Sequence, residues 1–574
     1  MKLVFREYLA SLRERRELDV VLPDLLSELG FTVISRPSVG TRQYGVDVAA
    51  LGPLEKGEQK LYLFSIKQGD LTRADWDGTP QALRGSINEM LDVYIPTRIP
   101  KEHQGLKVVI CLCFGGDILE AVRENVTGFI NAHTTARVSF EEWNGDLLAG
   151  LLSQGVLRAQ LVDKSLRSSF QKAVAMVDEP DISFIHFASL IKGLGKASSH
   201  SVEERLTSLR QIYICLWVLF VWSREAGNVE SSYRASESAL LQAWAFIHTE
   251  MESQRQVAVD MRRTFSELFD LHRQIGRTLL DEKILPFVSV RHAVSVAVTS
   301  RSSVDVSLKL FEVMSRISMR GLWILWEHGY KDLLPSRCKR PVPAEASELA
   351  QQIVQLVENN PILLAPIADE QAIEIGTTLL FLTMMDESVN VAGDYVQLLI
   401  SRILFAFAHH HRYPTIHSDY RELILHPRER TVSYREAETK GSTLIPMLSL
   451  WASALGQKEA ATHLSEFSAK HLKHCNMQFW LPGSDSEDRF YAGEAGHGLA
   501  LNDVPITGDG KLAMDMLKAE FSEKNVFAEM SVIQYGHWPL FILACRLSRL
   551  PLPPYLWFEL LGERAALLQV EEGA

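Results

Sequence analysis

Apolar positions in the first 160 residues alternate between a helical and a strand period. In LDVVLPDLLSELGF, Leu18 to Phe31, they fall at Leu18, Val21, Leu22, Leu25, Leu26 and Leu29, one helical stripe, and Gly30 supplies a C-terminal stop. Three strand-like runs follow, Thr32 to Arg36, Val46 to Leu51 and Leu61 to Lys67, with Gly40, Gly45, Gly52, Pro53 and Gly57 as turn punctuation. Thr79 before Pro80 predicts a helix N-cap with proline at the first helical position; Ala82, Ile87, Met90, Leu91 and Tyr94 form the apolar side, and Pro96 is expected to end it. LKVVICLCF, Leu106 to Phe114, is apolar on both faces, as a central strand covered by helices on either side must be. Gly115 and Gly116 then open a helical stretch, Ile118 to Ile130, and Arg137 to Trp143 reads as a last strand.

Beyond about Ser165 the helical period dominates. Leu206 to Trp222, Ala239 to Ile247, Leu308 to His328, Leu349 to Val357, Ile373 to Met385 and Val396 to Phe407 carry apolar residues three and four apart. The expected architecture is an α/β N-terminal domain over 1–160 and a large all-α region over 161–574, with subdivisions near 340 and 475. The glycine- and proline-rich stretch from Gln478 to Asp509 reads as loop before Lys511 to Glu520 resumes a helix.

Composition refines this only in places. With 47% hydrophobic and 23% charged residues the chain is ordinary globular material. Six cysteines, Cys111, Cys113, Cys215, Cys338, Cys475 and Cys545, show no paired metal-binding spacing and read as buried reduced thiols. The N-terminus is charged from its second residue and lacks a secretory pattern. The longest conspicuous apolar run, Ile212 to Trp222, is shorter than the roughly 20 residues a spanning helix needs, so it reads as a buried helix. A cytoplasmic protein without membrane association is the expectation. The net charge of -12 argues against coating of nucleic acid by the whole surface; residues 1–160 hold 18 basic and 21 acidic residues, so a local basic groove is compatible with that segment.

The chemistry concentrates on two strand ends. Asp47 lies in the run GVDVAA and Lys67 closes LYLFSIK, about twenty residues later. Were the two strands paired and antiparallel, Ser65 and Lys67 would project to the face on which Asp47 lies. An aspartate with a nearby backbone carbonyl suffices for magnesium, which keeps several waters, and a lysine at the same place can orient water and stabilise negative charge.

LDVVLPDLLSELGF, QYGVDVAA, YLFSIKQGD, the following helix and LKVVICLCF together resemble the PD-(D/E)XK nucleases, closest in layout to the Mrr-like restriction endonucleases, over about 130 residues. The resemblance implies an αβββαβ core and metal-dependent DNA hydrolysis with Mg²⁺ or Mn²⁺. It puts Asp47 at the metal-binding aspartate and Lys67 at the lysine of the half-motif, with the Ile66 carbonyl as a further metal ligand. Asp19 takes the first-helix acid, and Glu17 aligns less well. Gln43 and Gln68 become contacts to the metal's ligands or to phosphate; apart from the resemblance, Arg84 on the following helix reads as a phosphate contact or, equally, a solvated helical charge. Ser65 departs from the pattern, standing where relatives carry Glu, Asp or Gln, and a hydroxyl is a poor metal ligand. Such nucleases often serve in restriction or antiviral defence, which implies a helical region that senses, binds a partner or assembles the chain into a homo-oligomer.

Other signals are weaker. Trp76, within GDLTRADWDG, is either a base-stacking residue or, more commonly, a core anchor; Asp70, Arg73, Asp75 and Asp77 surround it. His409, His410, His411 and His417 form a histidine-rich tract without a completing ligand set, and Glu494, His497 and Asp503 share a loop that offers a polar pocket. Two rival readings accompany the nuclease: a catalytically inactive nuclease fold that binds or scaffolds DNA, marked by Ser65, and an activity housed in the helical region.

Overall fold

The structure, a computed structural model, describes residues 5–6, 9–10, 18–35, 44–52, 59–79, 82–155, 164–197, 201–300, 302–331, 333, 340–494, 496–523 and 526–573. The chain divides into two compact units, Met1–Ile275 and Gly276–Ala574.

The first unit opens on helix α1, Asp19–Glu28, which buries Val21, Leu22, Leu25 and Leu26; Gly30 follows in the left-handed region at φ 84°, the conformation its lack of a Cβ permits. Strands β1 (Thr32–Ser35), β2 (Val48–Leu51), β3 (Lys60–Lys67), β4 (Lys107–Phe114) and β5 (Val138–Trp143) form one sheet in that spatial order. The β1–β2 and β2–β3 pairs are antiparallel, whereas β3–β4 and β4–β5 are parallel. Parallel neighbours need crossover connections. The first passes through α2 (Arg73–Asp77) and α3 (Leu83–Glu89), the second through α4 (Glu120–His133), and α5 (Gly145–Gly155) follows β5.

Side-chain alternation then builds two cores. Leu61, Leu63, Val108, Ile110, Leu112 and Phe114 face Trp76, Leu83, Ile87, Met90, Val122, Val126 and Phe129. On the opposite face Tyr62 packs edge-on to Phe31 at 5.1 Å and Phe64 edge-on to Trp143 at 4.9 Å, while α1 lies against β1, β2 and α5. The run LKVVICLCF is therefore buried on both sides of the sheet from Val108 onward, as a covered central strand should be.

Two local expectations are corrected. Pro96 does not end the helix it follows: α3 widens into a π turn over Met90–Tyr94 and continues as Ile95–Thr97. A proline removes one backbone donor and its ring crowds the preceding turn, and the wider turn relieves that crowding. The helix start expected at Thr79 lies further on, with Ala82 as N-cap of α3; Pro80 is outside the described residues. The short helix α2 precedes it, closed by a capping box between Thr72 and Asp75.

The remaining described elements of the first unit are helices, Val202–Glu225 and Glu230–Ile247 among them. The apolar run Ile212 to Trp222 is the middle of that 24-residue helix. Val202–Glu225 and Asp386–Ala408 are each long and apolar enough to cross a membrane by length and composition; the apolar window of the first is 83% buried inside the protein and that of the second 50%.

In the second unit, helix Ser303–Glu327 packs against Ala344–Asn359 and Ala372–Thr383, and Val389–Ala408 packs against Leu444–Ala454 and Lys458–His471. The region expected to be loop from Gln478 to Asp509 contains more structure than that: Phe479–Leu481 pairs antiparallel with Leu499–Leu501, and Ser486–Ala492 is helical. Its glycines and prolines mark the turns between short elements too brief to show a period. Among the described cysteines, Cys111, Cys113, Cys215 and Cys545 are buried and free; Cys475 is free but only partly buried.

Candidate active site

The β2–β3 register pairs Val48 with Phe64 and Ala49 with Leu63, so its continuation puts Asp47 opposite Ser65. Two hydrogen bonds carry the pairing past the end of β2. The Asp47 N–H donates to the Phe64 carbonyl at 2.8 Å, and the Ile66 N–H donates to Asp47 Oδ2 at 2.7 Å. The carboxylate thus serves as an acceptor at the sheet edge and is fixed beside β3. The N–H and C=O of one strand residue leave the same edge, which directs the Ile66 carbonyl toward the Asp47 side as well. Ser65 is buried, with 1% of its surface exposed, and Lys67 is half-buried at the last rung of β3, paired with Phe114 of β4.

The turn that delivers Asp47 is held from below. Tyr44 and Gly45 both adopt positive φ, 51° and 79°. A Cβ on Gly45 would stand 2.0 Å from the Ser86 carbonyl oxygen in α3, so both the backbone conformation and the close approach demand glycine there. The Arg98 guanidinium lies over the Tyr44 ring at 5.0 Å and donates to its hydroxyl at 3.2 Å.

The loops after β3 and β4 meet at the same end of the sheet. Gly116 donates to the Gly69 carbonyl at 2.9 Å, the Asp117 N–H donates to Asp70 Oδ1 at 2.8 Å, and Leu71 donates to the Asp117 carbonyl at 2.8 Å. Arg6 forms an ion pair with Asp117. A Cβ on Gly116 would come within 2.1 Å of Asp70 Oδ1. The Gly115–Gly116 pair is therefore there for close packing of loops, a reason that its place before a helix did not reveal.

Of the residues expected to act together, Asp47, Ser65, the Ile66 backbone and Lys67 are gathered at one end of β2 and β3. Asp19 stands in the first turn of α1, a different element. Gln68 is exposed just past β3. Gln43 and Glu17 lie outside the described residues. Arg84 is occupied by an ion pair with Asp77 at 2.7 Å and lies 5.7 Å over the Phe129 ring, so its expected role as a phosphate contact would require breaking that pair. Trp76 is buried edge-on against Phe129 at 5.5 Å, which makes it a core anchor and leaves no face for a base. Sequence reading missed the Tyr44–Arg98 clamp and the Asp70–Asp117–Arg6 network; both join residues far apart in the chain without a motif.

The buried thiols are unsuited to chemistry. Burial pushes Cys113 far above the usual thiol range, with the Asp47 charge adding to the shift, and burial likewise raises Cys111. In the helical region His409 and His411 flank Phe405, and His417 meets Glu438 at 3.0 Å. His497 is held below the usual imidazole range by burial and meets the Ser486 hydroxyl at 3.0 Å, Glu494 pairs with Arg489 at 3.6 Å, and Asp503 is exposed. Among the described residues no group of three or more His, Cys, Asp and Glu side chains is gathered to hold a metal ion.

Set beside protein-family models, curated proteins and solved structures, the chain matches none of them.

Proposed function

We propose that the first unit hydrolyses phosphodiester bonds of DNA with the help of Mg²⁺ or Mn²⁺, and that the sheet is a restriction-endonuclease-like core of the PD-(D/E)XK kind. The observation that carries this reading is the Ile66 N–H to Asp47 Oδ2 bond of 2.7 Å, which fixes an acid beside a strand that ends on Lys67. The two antiparallel and then two parallel pairings of the sheet and the helices between β3 and β4 support it.

The donor chemistry suits a hard cation: a carboxylate and a backbone carbonyl supply oxygen alone, the ligand type that magnesium and manganese prefer. Asp47 and the Ile66 carbonyl would hold the ion, with Asp19 as the additional acid that the resemblance implies. Bound there, it would supply Lewis-acid stabilisation of the phosphate and a more acidic water. Lys67 contributes on its own account, as an ammonium that stabilises the charge gathering on the phosphate oxygens and orients the attacking water. In a defence setting the helical region would restrain or direct this cutter.

A second reading has its own support. Ser65 is buried where an acid would complete the site, which favours a platform that binds DNA without cutting it. The two part in a plasmid-nicking assay with Mg²⁺ or Mn²⁺: the nuclease cuts, and Asp47→Ala and Lys67→Ala abolish cutting. A platform retards the plasmid in a gel and leaves it supercoiled.

A further inference from the structure

In a chain of net charge -12, residues 402–440 depart from the average: seven Arg and Lys stand against five Asp and Glu, with five histidines besides. Helix Val389–Ala408 turns one stripe outward, in which Arg402 and Phe405 follow each other at three-residue spacing and His409 comes four later. Phe405 is 49% exposed. Its ring lies 4.3 Å from that of His409 and 5.7 Å from that of His411, the latter nearly parallel at 15°. Three aromatic faces are thus grouped at the surface. Arg412 donates to the carbonyls of Leu423 and Ile424, the latter at 3.1 Å, which draws the helix Tyr420–Leu425 and its exposed Arg421 alongside. Among the described residues neither Arg402, Arg412 nor Arg421 has a carboxylate partner within ion-pair distance; Arg428, by contrast, is paired with Glu422.

We infer that this surface binds a single-stranded nucleic-acid segment, with Arg402, Arg412 and Arg421 on phosphates and the Phe405 group stacking on bases. Guanidiniums left without carboxylates are the complement of a polyanion. An exposed ring flanked by two more offers the stacking that unpaired bases seek. A membrane surface would use the arginines and the exposed Leu398, Ile424 and Leu425 but gain little from parallel rings, and the vesicle arm of the test separates the two. Binding here is independent of cleavage in the first unit.

The test uses the full-length chain in EDTA, with a fluorescent oligothymidylate read by anisotropy across a salt series. Three phosphate contacts predict a log–log salt slope of about -2. Arg402→Gln and Arg421→Gln should each weaken binding and reduce that slope by about 0.7. Phe405→Ala should weaken binding about tenfold while leaving the slope unchanged, and Phe405→Trp should restore it. Because binding is read in EDTA, without cleavage, a failed cleavage reading leaves this one standing. The inference is overturned by absence of binding, by binding that none of the three substitutions alters, or by capture on phosphatidylserine vesicles in place of the oligonucleotide.

Discussion

Asp47 serves two masters at the residue scale: it accepts the Ile66 N–H and, in the proposed chemistry, presents charge to a metal. Asparagine keeps an oxygen for the first duty and loses the second. Asp47→Asn is therefore expected to hold the thermal midpoint near that of the parent while abolishing metal-dependent cleavage, whereas Asp47→Ala lowers the midpoint as well, because the Ile66 N–H loses its acceptor. Differential scanning fluorimetry beside the nicking assay separates the two effects. Gly45 is the complementary case. Gly45→Ala forces a Cβ into the Ser86 carbonyl and strains a positive φ, which costs about 1–3 kcal/mol before the clash is counted. The midpoint should fall, with cleavage falling further because Asp47 is two residues away. A Gly45→Ala protein as stable as the parent would contradict the clamp described for this turn.

At the scale of elements, the strands were the most legible part of the chain. Alternation or unbroken apolarity located all five strands of the first unit's sheet, because a sheet covered on both faces leaves no freedom in β4 and little in β3; the two- and three-residue strands of the second unit are too short to show it. Asp47 and Lys67 were legible for the same reason: each is a charged residue at the boundary of an apolar run. What sequence did not disclose depends on backbone geometry or distant pairing. Pro96 reads as a stop unless the π turn before it is known, and nothing in the chain links Tyr44 to Arg98 or Asp70 to Asp117. Asp369 is a further example in the second unit. Its carboxylate accepts from the Thr443 N–H at 2.7 Å, the Thr443 hydroxyl at 2.9 Å, the Leu444 N–H at 3.3 Å and the Ser442 hydroxyl, and so caps helix Leu444–Ala454 from 75 residues away. Removing a side-chain cap costs about 1–2 kcal/mol, so Asp369→Ala should lower the unfolding midpoint of the second unit and Asp369→Asn should lower it less. Equal midpoints for parent and alanine variant would deny that cap a role in stability.

For the whole molecule the two compact units should answer acid differently. In the second, burial and the nearby charges of Arg412 and His417 hold His426 at about 4, and burial holds His537 at about 4. Each imidazole is neutral in the folded chain and regains a value near 6.5 on unfolding. The unfolded chain therefore binds more protons between those limits: stability is full above pH 6.5 and is lost as pH falls toward 4, by up to about 1.4 kcal/mol per pH unit for each group. The expected outcome is a midpoint for the second unit that drops through this window, with the drop reduced in His426→Gln and His537→Gln. A midpoint that is flat from pH 7 to 4 would contradict the burial of both rings.

The central claim is that Asp47 and Lys67 form a metal-dependent nuclease site, and supercoiled plasmid tests it most directly. The purified protein is incubated with Mg²⁺ or Mn²⁺ beside Asp47→Ala, Lys67→Ala and an EDTA control. Nicking that requires the metal and disappears in both variants is the predicted result; an uncut plasmid, or equal cutting by all three proteins, would contradict it.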